Sequence, residues 1–438
     1  MPGCLSPSRS RPLPEAVTPP STLSDVVHDG GHRPGSPELR RTALALFLAG
    51  VATFASIWAT QPLLPTLAAD FGVTPAQAAL SVSGPTLALG LGLLVAGPLS
   101  DVRGRTWLVH GSLLATGVVG LACALAWSWE SLLVLRTLQG LVLAGLPAVA
   151  TAYLREEVDR TAVTGVTGLY VGGTALGGMS GRLLAAPLAE VGGWRTAVAG
   201  IAVVVLACAA LVRWQLPPSR RFVPAPARPR ALLAQTGRTL RDPVLVGLFT
   251  VGGLLMGAFV AVFNGMAFRL ESPEFGLSTG VAGLVFATYA LGSVSSTLAG
   301  RWSAGAAGPR PVVPTAVGVA LAGVLLTLSP RLPVVVAGVS LMVVGFFAAH
   351  GTASGWVTAR ASYGSGGAGQ AASLYLLAYY GGASVAGAAA GWAWSTGGWG
   401  RVVLLAGGLM AGALLVTLAL SRTRRLAPPP EGPAVAAG

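Results

Sequence analysis

Gly97-Pro98-Leu99-Ser100-Asp101-Val102-Arg103-Gly104-Arg105 is a short charged turn between two long apolar stretches, Ala78–Leu99 and Thr106–Trp127. Each stretch has ~20 residues, enough as a helix to cross about 30 Å of hydrocarbon. The acid and two arginines need water or a partner, so they stand outside the bilayer. Glycine at both ends suits the tight reversal. The pattern predicts a helical hairpin through a membrane.

Outward from this hairpin the pattern recurs. Thr42–Pro65 precedes it, and Leu132–Leu154, Ala162–Leu188 and Thr196–Leu216 complete a first group of six apolar spans. Val244–Phe268, Thr279–Gly300, Pro311–Leu328, Val334–Val357, Ala368–Thr396 and Val402–Leu420 form a second six. Barrel strands would be about 10 residues long and strictly alternating, which these are not. The fold class expected is an all-α polytopic membrane protein. Residues 1–38, rich in Pro, Ser and Arg, read as a disordered tail, and 39–216 as an N-terminal six-helix bundle. Residues 217–242 read as an Arg- and Pro-rich linker with a short surface helix over 231–240, 243–420 as a second bundle, and 421–438 as a second tail.

Composition agrees. Of 438 residues, 53% are hydrophobic and 10% charged, with a mean hydropathy of +0.70. Soluble domains carry about 25% charged residues, so this chain cannot cover a soluble globule. A disulfide scaffold is excluded by three distant cysteines, Cys4, Cys123 and Cys208, and collagen by 61 glycines without a triplet period. All 28 basic residues are Arg, giving a net charge of +13. They are scattered between apolar blocks, which is topological charge and not a nucleic-acid face. With the N-terminus cytoplasmic and twelve crossings, 22 Arg fall on the cytoplasmic side and only Arg195, Arg269, Arg331 and Arg401 on the other. Both termini are therefore expected in the cytoplasm and the protein in the cell membrane.

The two groups repeat. Asp70-Phe71-Gly72-Val73-Thr74 returns as Glu274-Phe275-Gly276-Leu277-Ser278, and Gly192-Gly193-Trp194 as Gly397-Gly398-Trp399, at offsets of 204 and 205. Tyr170-Val171-Gly172-Gly173 returns loosely as Tyr379-Tyr380-Gly381-Gly382. An offset of six helices keeps the orientation, so the repeat is parallel, about an axis along the membrane normal.

The opening turn resembles the signature of the major facilitator superfamily, G-x-L-(A/S)-D-R-x-G-R-(R/K). Gly97, Leu99, Ser100, Asp101, Gly104 and Arg105 fit it, and Arg103 stands one place from the usual first basic position. The resemblance implies a cytoplasmic gate latch, twelve helices and transport by alternating access; the alternative is a plain positive-inside turn. Arg136-Thr137-Leu138-Gln139-Gly140 is similar to that family's R-x-x-Q-G pattern, linked there to proton coupling. Arg136 and Gln139 are thus candidates for coupling or anion contact, unless Arg136 snorkels to the outer interface. Gly173, Gly177, Gly178 and Gly181 resemble the efflux-type signature G-x-x-x-G-P-x-x-G-G, without its proline and with Arg182 in place of the last glycine. This run allows close packing on a partner helix, expected to be the equally glycine-rich eleventh span.

All 15 acids fall outside the middle of the spans. Arg136, Arg182 and His350 are left as the main embedded ionisable groups, with Asp70, Glu130 and Glu190 at span ends able to approach the arginines. Without Lys no Walker motif is possible, no nucleophile–base pair or metal spacing is evident, and no cofactor is implied. Candidate cargo contacts are Gln61, Tyr170, Phe263, Asn264, Tyr289, Tyr375 and Tyr379, each of which could equally be a packing residue. The leading expectation is a monomeric, proton-coupled secondary exporter of a small molecule. The competing readings are an importer or exchanger of an anionic solute, motivated by Arg136 and Arg182, and a non-transporting scaffold or sensor.

Overall fold

A computed structural model describes residues 31–224, 229–305, 308–364 and 367–423. Among them there is no β-strand, only a single bridge between His32 and Val158. Ten helices are long and apolar enough to cross a membrane. Two of these, of 56 and 54 residues, are broken at Gly192-Gly193 and Gly397-Gly398, so the chain makes twelve crossings. They are α1 (Pro37–Phe71), α2 (Pro75–Arg103), α3 (Arg105–Ala124), α4 (Trp129–Glu157), α5 (160–191) and α6 (194–215). The second six are α7 (Pro243–Glu271), α8 (Thr279–Ser303), α9 (Pro309–Leu326), α10 (Leu332–Ser362), α11 (368–396) and α12 (399–421). A short helix, Pro229–Leu240, lies between the two sets.

The internal repeat is written in the backbone. Positive φ occurs at Gly72 and Gly276, at Gly104 and Gly308, and at Gly193 and Gly398. These pairs are equivalent turns of the two halves, and side chains with a Cβ are disfavoured there. Thr74 and Ser278 then cap α2 and α8, accepting from the backbone N–H of Gln77 (3.2 Å) and Val281 (3.4 Å).

Within each half the glycine-rich helix packs on the first helix of that half. A Cβ at Gly173, Gly177 or Gly181 would strike the carbonyls of Phe47, Val51 and Ala55 on α1. A Cβ at Gly382 of α11 would strike Gly253 of α7. The expected pairing of α5 with α11 is therefore corrected: each glycine face is already occupied inside its own half. Gly178 is less tightly packed: a Cβ there would meet an Arg182 nitrogen at 3.5 Å and the Trp58 ring of α1 at 3.8 Å.

We call the side holding the start of α1 and the end of α12 the terminal face, and the other the far face. Exposed Trp107, Trp214 and Trp302 ring the first, and exposed Trp127 and Trp392 the second, as amphipathic indoles do at membrane interfaces. The halves meet toward the far face. Gly391 of α11 abuts Pro75 and Ala76 of α2, and Ser384 donates to the Ser83 carbonyl at 2.7 Å. Gly283 of α8 abuts Ala186 of α5, and Glu190 accepts from the Gly280 N–H at 2.8 Å.

The expectation of a disordered tail over 1–38 fails at its end. His32 exchanges backbone hydrogen bonds with Glu157 (2.8 Å) and Asp159 (3.2 Å), strapping the chain to the α4–α5 turn, and α1 begins at Pro37. Residues 1–30 and 424–438, which carry the rest of the two tail expectations, lie outside the described residues.

Candidate functional site

The site grows from a break in α1. Pro62 removes a helical donor, and the chain makes a 3-10 turn over Gln61–Leu63 before α1 resumes. The break frees backbone carbonyls and turns Gln61 inward. Two buried arginines, each 1% exposed, approach this point from α4 and α5.

Arg136 is fully engaged. Its Nε donates to the Ser81 carbonyl (3.2 Å). Nη1 donates to the Ser56 carbonyl (3.1 Å) and Gln139 Oε1, and Nη2 to the Ile57 carbonyl (2.7 Å) and Thr60 Oγ1 (3.2 Å). A guanidinium has five N–H donors, and all five are matched. Gln139 in turn donates to Ser56 Oγ (2.9 Å) and the Thr116 carbonyl (3.1 Å). Arg136 therefore closes the broken end of α1; it neither snorkels nor has a donor left for an anion.

Arg182 is different. Its Nε donates to Gln61 Oε1 (2.6 Å) and Nη1 to the Gly178 carbonyl, leaving three N–H groups without a protein acceptor among the described residues. Its guanidinium lies over three rings, Trp58 (4.6 Å), Tyr289 (4.5 Å) and Phe286 (5.3 Å). Trp58 belongs to α1, the other two to α8, so the box is made by both halves. The Tyr289 hydroxyl is buried there with no hydrogen-bond partner among the described residues. Gln61 continues the chain: its Nε2 donates to Asn264 Oδ1 (2.8 Å), and Asn264 Nδ2 to the Gly387 carbonyl (3.2 Å). One buried path thus joins α5, α1, α7 and α11.

Neither buried arginine has a carboxylate partner among the described residues. Asp70 accepts from the Trp194 indole (2.7 Å) and pairs with Arg195 (3.1 Å), and Glu190 is turned to α8. The expectation that span-end acids approach Arg136 or Arg182 is corrected accordingly: Asp70 is held by α6, Glu190 by α8, and Glu130 is exposed at the start of α4.

Behind the box stands an aromatic wall. Phe263 is fully buried and stacks on Phe286 (5.1 Å), backing the wall. His350 packs against Tyr379 with the rings tilted (4.6 Å), and its Nδ1 is 2.9 Å from the Tyr375 hydroxyl. Tyr375 is buried and lies over Gly252, and Tyr170 sits in the core of the N-terminal half, apart from the box. Trp58 and Phe286 were not predicted. An aromatic in an apolar span reads as core or lipid-facing, and only the cation beneath it distinguishes it.

The turn that opens α3 is a second polar cluster. Arg105 pairs with Asp101, donates to Ser100 Oγ, and binds Glu156 of α4 at 2.8 Å. Phe222, from the segment after α6, covers its guanidinium at 5.5 Å. Glu157 beside it accepts from Ser219 Oγ and the Arg221 N–H, each at 2.8 Å. Arg103 points outward over Trp107, and Gly97 has open space at its Cβ position. Among the described residues every hydrogen bond of this turn stays within the N-terminal half.

Comparison with known proteins accords with this geometry. The family model described as Major Facilitator Superfamily matches residues 46–272. The chain is 41% identical over 389 residues to the inner membrane transport protein YnfM of Escherichia coli, covering 89% of this chain and 92% of the relative. It is 39% identical to the MFS-type transporter YybF of Bacillus subtilis, covering 89% and 94%. Among solved structures it resembles a bacterial homologue of the lysosomal transporter Spinster (TM-score 0.67, 16% identity, 88% of this chain and 96% of that one). It also resembles the nucleoside transporter NupG (TM-score 0.69, 15% identity, 86% and 99%). These relatives are transporters and not enzymes. The chain is a membrane transporter belonging to the major facilitator superfamily.

Proposed function

We propose that this transporter carries a small organic anion, held by Arg182 at the interface of the two halves. The observation that carries this reading is the donor count: three N–H groups of a buried guanidinium without protein acceptors among the described residues, in a box that also holds the Tyr289 hydroxyl, unpartnered among those residues. A guanidinium fork matches a carboxylate or phosphate in two parallel hydrogen bonds, and the surrounding rings suit an apolar body. A partial relative, the 4-hydroxybenzoate transporter PcaK of Pseudomonas putida (29% identical over 59% of this chain), is named for an aromatic carboxylate.

In a proton-coupled mode the embedded titratable group is His350, whose imidazole contacts the Tyr375 hydroxyl; exchange of one anion for another needs no proton. The efflux direction rests on the resemblance of the α5 glycine run, and helix packing itself has no direction. Arginine placement supports termini in the cytoplasm of a cell membrane. In that orientation the Asp101–Arg105–Glu156 cluster lies on the cytoplasmic side, where it ties α2, α3 and α4 together as the N-terminal half's part of a latch, and the protein works as a monomer.

The test is uptake of benzoate, a neutral benzamide and a cationic benzylamine into proteoliposomes. The anion should move and compete with other anions, and Arg182→Gln should abolish that movement. Benzoate movement unchanged in R182Q, or no faster in wild type than that of the neutral and cationic probes, would reject the reading.

A further inference from the structure

We infer that the carrier is an obligate anion exchanger: it reorients readily with an anion on Arg182 and not without one. The inference rests on the anion reading above and adds a transport mode to it.

The reason is charge. The groups that touch the Arg182 guanidinium are neutral: an amide oxygen of Gln61, the Gly178 carbonyl, and the faces of Trp58, Phe286 and Tyr289. The acids at the far face stand elsewhere, Asp70 with Trp194 and Arg195, Glu190 with Gly280, Glu274 with Arg269, and Glu271 beside Thr279 and Glu190. Among the described residues Arg182 therefore has no resident counter-ion. Alternating access passes through a state closed at both ends, where an unneutralised charge is expensive because water cannot reach it. A bound anion cancels that charge and removes the penalty.

The rings do not substitute for an anion throughout the cycle. Trp58 moves with Arg182, but Phe286 and Tyr289 belong to α8 in the other half. Opening the far face separates α5 from α8 where Gly283 abuts Ala186, and two of the three ring contacts go with it. A loaded carrier keeps its counter-charge through this separation. An unloaded one must pass through the closed state with only neutral groups on its cation, so its return is slow until a second anion binds.

The experiment uses the full chain in proteoliposomes with the potential clamped at zero. Binding is measured first, as thermal stabilisation of the purified protein by benzoate, phenylphosphonate and cyclohexanecarboxylate. If none of the three stabilises wild type, the anion reading fails and this inference with it. With binding present, vesicles loaded with the labelled anion are diluted into anion-free buffer or into buffer holding the unlabelled anion. Efflux at least tenfold faster with the trans anion is expected. Equal efflux rates in the two buffers would overturn exchange while leaving the anion site standing. As a further check, an inside-negative potential should change the slow net efflux and leave exchange unaltered; the reverse would overturn the charge account.

Discussion

Replacing Arg136 by methionine separates the two buried arginines. The substitution keeps an unbranched chain of similar reach and removes five hydrogen bonds, to the carbonyls of Ser56, Ile57 and Ser81 and to Thr60 and Gln139. Interhelical hydrogen bonds in membrane proteins average about 0.6 kcal/mol each, so the loss is about 3 kcal/mol. Relief from burying a charge returns part of it, leaving a net destabilisation on the order of 2 kcal/mol. For a unit of about 150–250 residues, the size of one six-helix half, that is a fall of about 4–8 °C in melting temperature. Arg182→Met removes two bonds, so its melting temperature should fall by less than half as much. Anion affinity should behave in the opposite way, lost in R182M and kept within threefold in R136M. The assay is thermal unfolding of both purified variants with and without benzoate. If R136M melted like wild type but no longer responded to benzoate, donor counting would be the wrong guide to this site.

Further outcomes follow from other parts of the fold. Gln61→Glu sets a carboxylate where Arg182 Nε already donates at 2.6 Å; anion binding should weaken at least a hundredfold in a ligand-stabilisation assay while the protein stays folded. Gly177→Ala should lower the melting temperature, since its Cβ meets the α1 backbone at Val51, by about 1–3 kcal/mol of overpacking. Gly172→Ala on the same helix meets nothing within 4 Å and should be neutral or slightly stabilising. Glu274, paired with Arg269 at 2.6 Å, is held below the usual carboxylate range by that hydrogen bond. A lowered folded pKa means stability present above about pH 4.3 and lost as pH falls further. The melting-temperature gap between wild type and Glu274→Gln should therefore be open at pH 7 and narrow as pH drops below that value.

Much of the architecture is legible in the chain because hydrophobic length and turn glycines act locally. Gly72, Gly104 and Gly193 each have a counterpart near an offset of 204, and each pair marks the same reversal in both halves. What the sequence withholds is which surfaces meet. The run Gly173, Gly177, Gly181 says that another backbone comes close, and nothing in its spacing distinguishes α1 from α11. The site is harder still, because it is assembled from distant parts. Arg182 and Gln61 are 121 residues apart, and Gln61 and Asn264 are 203 apart. Naming Arg182, Gln61, Asn264 and Tyr289 as polar residues in apolar spans found members of the box, but not their convergence. The same reasoning gave Arg136 an equal standing, because a free donor and a saturated one look alike until their acceptors are placed.

That difference gives the two arginines complementary parts in one device. The α1 break presents carbonyls toward α4 and the Gln61 amide toward α5. Arg136 fills the first side completely, so the break cannot flex without losing several bonds together, and Gln61 is held at a fixed place in the N-terminal half. Gln61 then orients Arg182 through Nε, which aims the remaining N–H groups at the interface. A binding group is most effective when its own rotamer is locked by neighbours that do not take part in binding. The coupling to the other half runs through the same amide, since Gln61 Nε2 donates to Asn264 and Asn264 to the α11 backbone. Gln61 has one oxygen and one amide group, each already engaged on a different half. Any movement of α7 and α11 away from the N-terminal half must break the Asn264 bond while leaving the Arg182 bond intact. The expected mobile joint is therefore Gln61–Asn264, and the rigid one is Gln61–Arg182. Asn264→Leu should accordingly loosen the far face and speed exchange or abolish its control, without changing the affinity of Arg182 for an anion. A loss of affinity in N264L equal to that in R182Q would mean that the binding group is positioned from the C-terminal half, and the assignment of rigid and mobile joints would have to be reversed.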